Sequence, residues 1–414
     1  MIDSRLLAAS AALLCSVTVS AAGAGAAAPR YRMVEVPEPQ FAGASCLPGY
    51  ARRFTATGIN DLGVVSANLW CVDSIDTAAG FFNRTYLPYI AAPHLGAYEL
   101  ALPTGAFSGF ALSIDNRLRV VGDSTDNLRN RGALWTLGGG HEPAFQQFGC
   151  LGGDVDQALG GNLRGYVVGW AVRTDPSAAP PLDQFCITVG WVIRTPAGAT
   201  IYGPTKGVAV DVNELNVAVG RTGRTAIKYH IPTGQQTILD AGSAPYTAEP
   251  VAINERGEVA GFLDFNPDGN PGVLCGPSVP LAWDRNNVER TLELLPGATS
   301  GRVYSLGSDG DIVGDSGSGR YCSDNALFRQ RAALWHDGRP YDLNTLIPDA
   351  HNVTLVGAAR INLWGQIAVT GYRNDDPLLL CPDFTESAEG GFGPVDFTLT
   401  CRDLHTWVLT PTGR

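Results

Sequence analysis

The sequence predicts an all-β protein, a seven-bladed β-propeller of four-stranded blades. Three observations predict it. An apolar hairpin unit recurs seven times along the chain. Its mean step of about 51 residues matches the length of a propeller blade. A strand pattern near the start of the chain supplies the strand that the last unit lacks.

The unit is visible in "ATGINDLGVVSA" (56–67), "ALSIDNRLRVVGDS" (111–124), "ALGGNLRGYVVGW" (158–170) and "VAVDVNELNVAVGRT" (208–222). It returns in "VAINERGEVAGF" (251–262), "YSLGSDGDIVGDS" (304–316) and "AARINLWGQIAVTGY" (358–372). The shared form is small-x-apolar-Asn/Asp-x-x-Gly-x-Val-Val-Gly. Its closing position is expected at Ser66, Gly122, Gly169, Gly220, Gly261, Gly314 and Gly371. Two apolar strands flank the turn, so the unit is a β-hairpin. Its Asn or Asp and its Gly are expected to supply the positive-φ positions of a tight turn.

A third strand follows, in "RGALWT" (131–136), "PLAWDR" (280–285), "RAALWHD" (331–337) and "LHTWVL" (404–409). A fourth comes after a short turn, in "AYELAL" (97–102), "RTLELL" (290–295) and "RPYDLNTL" (339–346). Four antiparallel strands in about 50 residues describe one blade. The last unit runs only through its third strand, while "YRMVEVPEP" (31–39) has the fourth-strand pattern. Residues 31–36 are therefore expected to pair with 405–410 and close the ring, which also hides its open edges.

The Ala-x-x-Ile-Asn-x-x-Gly-x-Val-Val-Gly form, the Ala-Leu-Trp strand and the Asp-Leu-like fourth strand resemble the extracellular HAF-repeat proteins of bacteria. The resemblance spans about residues 31–414. Two units depart from it. Ser66 replaces the closing Gly in unit one, and Gly307-Ser308 stands where unit six should carry Ile-Asn. The resemblance implies an exported repeat protein without a defined activity, and it supplies no catalytic residues.

Residues 1–28 read as a signal peptide: Arg5, an apolar run from Leu6 to Val19, then small residues up to Ala28. The propeller would occupy 29–414, outside the cytoplasm, in the periplasm or beyond the cell. Charged residues make up 17% of the chain with a net charge of −11, and Lys and Arg never cluster, so nucleic acid and membrane surfaces are not expected partners.

Eight cysteines remain after the leader, an even number that reads as disulfides in an exported protein. In a meander, alternate connections share a face. The first-to-second and third-to-fourth turns are short. The second-to-third connections and the inter-blade links hold the insertions 170–185, 262–280, 315–331 and 372–404. All eight cysteines fall on this loop face. Cys46 pairs with Cys71 and Cys150 with Cys186, each within a blade. Cys381 pairs with Cys401 inside one long loop, which leaves Cys275 with Cys322 between neighbouring blades.

Several short motifs invite chemistry. "DFNPDGN" (264–270) begins like a calcium loop, with Asp264, Asn266 and Asp268 as candidate ligands, although Cys275 stands at the twelfth position. Calcium is the only cofactor the sequence suggests. Gly314-Asp315-Ser316-Gly317 spells a serine-protease nucleophile loop, but Ser124 occupies the same register in unit two, which predicts a structural role. Asp309, Asp311 and Asp315 are spread over one hairpin, and the six histidines show no metal-binding spacing. Trp135, Trp283, Trp335 and Trp407 recur in register, as core residues between blades would.

Loops carry function more often than scaffolds do. The expectation is a non-enzymatic propeller that binds an extracellular ligand, protein or glycan through its disulfide-stapled loop face. The alternative is an extracellular polysaccharide lyase or hydrolase with its site at the channel mouth.

Overall fold

The computed structural model describes residues 28–39, 46–126, 129–137, 144–147, 156–173, 188–205, 207–239, 246–265, 277–318, 324–348, 352–386 and 392–412. The leader lies outside the described residues, as do Cys150, Cys186, Cys275, Cys322, Asn266 and Asp268. No helix among the described residues is long and apolar enough to cross a membrane.

Seven four-stranded antiparallel sheets form the ring of a β-propeller. Blades one to six span residues 52–99, 106–147, 156–205, 207–239, 246–291 and 300–342. Blade seven takes its first three strands from Val353–Ile361, Ile367–Arg373 and His405–Pro411. Its fourth is Tyr31–Glu35, in register from Tyr31 opposite Pro411 to Glu35 opposite Trp407. The strand order follows the chain in every other blade, so local hairpin pairing builds the sheets and the terminal strand alone closes the circle. Two small hairpins, 379–380 with 400–401 and 383–386 with 392–396, decorate the blade-seven insertion.

The core lies between blades. Trp135, Trp283, Trp335 and Trp407 are buried; the first three share one register, whereas Trp407 faces Val369 and stands two residues earlier on its strand. The indole N–H groups of Trp135 and Trp335 donate to Ala101 O and Glu293 O of the preceding blade. Trp191 takes a different place on the third strand of blade three, opposite Trp170, and donates to Arg221 O of the following blade. Val36, Leu100, Leu239, Leu292 and Leu343, which end or follow fourth strands, are buried beside them.

The turn reads differently from its sequence. Positive φ falls on the fourth turn residue, Gly63, Leu118, Gly165, Asn216, Gly257, Gly310 or Gly365, and not on the repeat Asn. The Asn instead serves as a clasp. In blade four, Asn213 Oδ1 accepts from Leu215 N and Val217 N, while Nδ2 donates to Asn254 O of blade five. Asn60, Asn162, Asn254 and Asn362 likewise donate to the next blade. Blade two carries Asp115, which cannot donate, and Arg119 Nη2 reaches Asn162 O in its stead.

The closing position also needs correction in two units. Strand register places Ala67, not Ser66, opposite Ala56, and Val369, not Gly371, opposite Ala358. In unit six Leu306-Gly307 stands at the Ile-Asn place, one residue before the expected pair. Glycine is favoured at the closing position because the inner strand's backbone crowds it. A Cβ on Gly122 would lie 1.8 Å from Phe110 O, and one on Gly314 would lie 2.0 Å from Arg302 O.

Candidate functional site

Every inner strand carries a β-bulge at one place, between Ala111 and Ser113 in blade two and between Ala209 and Asp211 in blade four. A bulge re-aims the extra residue. Here that residue lines the central channel, one from each blade: Thr57, Leu112, Leu159, Val210, Val251, Tyr304 and Ala359. They enclose a cavity of about 430 Å³, within the range of roughly 300–1,000 Å³ that small-molecule pockets occupy. Tyr304 is pinned, its hydroxyl donating to Asp315 Oδ2 at 2.8 Å. Leu327 lines the same cavity and comes from the short 3-10 helix Asp324–Arg329, in the loop-face insertion of blade six.

One residue nearer the turn face stands a second ring of mostly small side chains, including Gly58, Ser113, Ser305 and Asp211. Arg360 and Asp211 are its charged members, and Arg360 is the charged residue that also lines the bulge-ring cavity. From blade seven its Nη2 reaches Ser113 Oγ of blade two at 3.4 Å and Asp211 Oδ1 of blade four at 3.6 Å. The guanidinium thus crosses the bore. It also lines a second cavity, of about 360 Å³, at the turn-face mouth.

That mouth holds a third ring, the residue after each repeat Asn. Asp61, Asn116, Glu214 and Glu255 belong to it. Each engages a backbone N–H of the preceding blade. Asp61 accepts from Leu363 N, Asn116 from Asp61 N, Glu214 from Leu163 N and Glu255 from Glu214 N. Burial raises the pKa of Glu255, and the charges of Glu214 and Asp211 push it further. The acidic groups therefore converge on the face opposite the long loops. Sequence reasoning missed all three rings. The only signal was the spread of size at one variable repeat position, from Ala359 to Tyr304, where a buried hairpin position would be uniform.

On the loop face, Cys46 and Cys71 form the expected disulfide, with Cα atoms 5.5 Å apart. Cys381 and Cys401 are buried thiols in contact, without a bond between them. The Cys381 thiol donates to Cys401 and, with the nearby Arg53, holds the Cys401 pKa low against burial. Arg53 Nη2 lies 4.0 Å from the Cys401 sulfur. The Arg53 guanidinium stacks on Trp70 at 4.1 Å and faces Phe328 at 5.4 Å, and Arg84 covers Trp70 at 4.7 Å. This stack ties the blade-seven insertion and the blade-six helix to blade one.

The other candidate residues take structural places. Asp264 is fully buried in the second strand of blade five, where Oδ1 accepts from Ser278 Oγ at 2.9 Å and pairs with Arg302 at 3.2 Å. Ser316 is also fully buried, accepting from Leu295 N and donating to Ser300 O, so its hydroxyl is committed to backbone. Ser124 is buried in the same register. Asp311 pairs with His336, while Asp315 binds Tyr304. Among the described residues, no group of three or more His, Cys, Asp or Glu side chains is placed to hold a metal ion.

No protein-family model and no curated protein matches the sequence. Several solved structures are similar to it at low scores. A streptogramin B lyase is 12% identical over 92% of this chain and 98% of that one, with a TM-score of 0.46. An oligogalacturonate lyase in complex with manganese is 10% identical over 93% and 99%, with a TM-score of 0.47. A catalytically inactive virginiamycin B lyase from Staphylococcus aureus, with quinupristin, is 10% identical over 92% and 99%, at 0.46. Identities and scores this low transfer no chemistry. By its own strand topology, the chain is a seven-bladed β-propeller.

Proposed function

We propose that this protein is an exported, non-enzymatic propeller that binds a ligand from its loop face, with the central channel as the seat. One observation carries this reading. All seven blades contribute to the channel lining, and among the described residues the seven bulge positions carry no carboxylate or imidazole, with the paired Arg360 and Asp211 one residue nearer the turn face. Acid–base catalysis needs a titratable group within reach of the reacting bond. An apolar bore with few polar groups suits binding. The Cys46–Cys71 staple and the arginine–aromatic stack support a loop face that keeps its shape.

The enzyme alternative rests on the turn-face carboxylates. There Asp61, Glu214 and Glu255 each accept from backbone N–H groups, which favours an architectural use. The test combines a glycan and small-molecule array with a lyase and hydrolase screen on the mature protein. The expected result is saturable binding without turnover, weakened in Leu327→Trp, which crowds the channel. Turnover of any array compound, lost in Glu214→Gln or Glu255→Gln, would replace this reading with the enzyme.

A further inference from the structure

We propose that the channel takes a small apolar molecule bearing one carboxylate, with the anion on Arg360 and the chain along the aliphatic wall. This rests on the channel being the ligand seat.

The wall is formed by four consecutive blades. Leu112, Leu159, Val210 and Val251 occupy the same bulge position in blades two to five and present one continuous aliphatic surface. Water gains little there, whereas a hydrocarbon chain is favoured in proportion to the area it buries.

Arg360 sets the polar end. Its side chain is 24% exposed, so most of its hydration is already gone. Its partners are distant and both engage Nη2: Ser113 Oγ at 3.4 Å and Asp211 Oδ1 at 3.6 Å. Nε and Nη1 make no hydrogen bond among the described residues. Asp211 is partly spent elsewhere, since its Oδ2 accepts from Ile253 N of blade five at 3.0 Å. A half-desolvated guanidinium with an open donor edge matches a planar carboxylate, which it can grip with two hydrogen bonds.

One guanidinium offers one bidentate grip, which selects a ligand with a single carboxylate. A dianion would leave its second charge in the apolar bore and close to Asp211, where desolvation and repulsion both oppose it. A neutral alcohol would gain the wall but not the charge-assisted bonds.

Calorimetric titration of the mature protein with octanoate, octan-1-ol and suberate tests this. Octanoate should bind, with octanol and suberate each weaker by at least about tenfold. Arg360→Gln should weaken octanoate by at least about tenfold and leave octanol unchanged, with Arg360→Lys between. Val210→Trp, which fills the bore, should abolish both, and circular dichroism should show all three variants folded. Octanoate affinity should also fall as the ligand protonates below about pH 5.

Equal binding of octanoate and octanol, or no effect of Arg360→Gln, would overturn the carboxylate assignment while leaving the channel as a seat. The same holds for failure of all three probes when array ligands still bind and are lost in Val210→Trp. Array ligands indifferent to Val210→Trp would overturn the channel reading itself.

Discussion

His405 holds its proton more tightly in the folded chain than its ordinary value of 6.5 allows. Burial opposes the charge, but Glu38 at Nδ1 and Asp376 at 2.8 Å from Nε2 outweigh it. Glu38 is shifted down from 4.5, its burial outweighed by His405, Arg52 and Arg373. A raised His stabilises below its unfolded pKa and loses that contribution as pH rises through the folded one. A lowered Glu stabilises above its unfolded pKa and loses this as pH falls through the folded one. The pair therefore contributes most between about pH 4.5 and 6.5. His405→Gln should cost roughly 1–3 kcal/mol at pH 6 and less at pH 9. Equal losses in urea unfolding at the two pH values would disprove the linkage. Asp123 behaves oppositely. Burial raises it to about 6, the Asp156 charge adds to this, and the bonds from Gln157 and the Phe110 backbone only partly offset it. Protonated Asp123 is the stable form, so its stabilising share is lost as pH climbs through about 6. Asp123→Asn should stabilise the fold by on the order of 1–3 kcal/mol at pH 8 and by little at pH 4. A melting scan of the variant at both pH values checks it, and a destabilised variant at pH 8 would contradict it.

At the scale of elements, the hairpin turn is both a local cap and a clasp between blades. Asn213 is buried and makes three hydrogen bonds, two to its own turn and one to blade five. Asn213→Ala leaves two N–H groups without partners and takes from Asn254 O its bond across blades, leaving it only Gly257 N, and should cost about 2–4 kcal/mol. A loss below about 0.5 kcal/mol in denaturant titration, the level of an ordinary surface change, would show that the clasp contributes nothing. The blade-seven insertion offers a second prediction. Cys381 and Cys401 already touch, and the bond from Cys381 and the charge of Arg53 lower the Cys401 pKa. Oxidation should join them, closing a loop worth roughly 3 kcal/mol in the chain-entropy model. Non-reducing peptide mapping of the exported protein should recover that cross-linked pair, and alkylation of either thiol under native oxidising conditions would refute it.

For the whole molecule, closure rests on one short strand. Tyr31–Glu35 covers the edge of 405–411, and Tyr31 and Val36 bury their side chains against blades seven and one. Removing residues 29–36 would leave an unpaired edge and two cavities. The expected cost is roughly 5 kcal/mol or more, a large share of a typical domain's stability. Light scattering should reveal edge-to-edge association. A truncated protein that melts like the parent and stays monodisperse would show the ring is held without its closing strand.

What the sequence by itself determined is the part of this molecule written in short-range rules. Alternating apolar residues, turn glycines and the recurring third-strand Trp specified seven hairpin-based blades, the closing strand at 31–36 and the Cys46–Cys71 pair. Each depends on neighbours within one repeat, or on a pattern that repeats in register. The tertiary structure decided the rest. Gly122 and Gly314 recur in sequence as the closing position of the unit, but a carbonyl across the sheet is what excludes a side chain there. The repeat Asn looks like a φ > 0 residue, but the carbonyl it serves belongs to another blade. Arg360 carries no local signal at all. It acquires its place only when ring closure brings it to Ser113, 247 residues away in the chain. A bulge that turns one side chain per blade toward the axis has no meaning until there is an axis, and the axis exists only once all seven blades have closed.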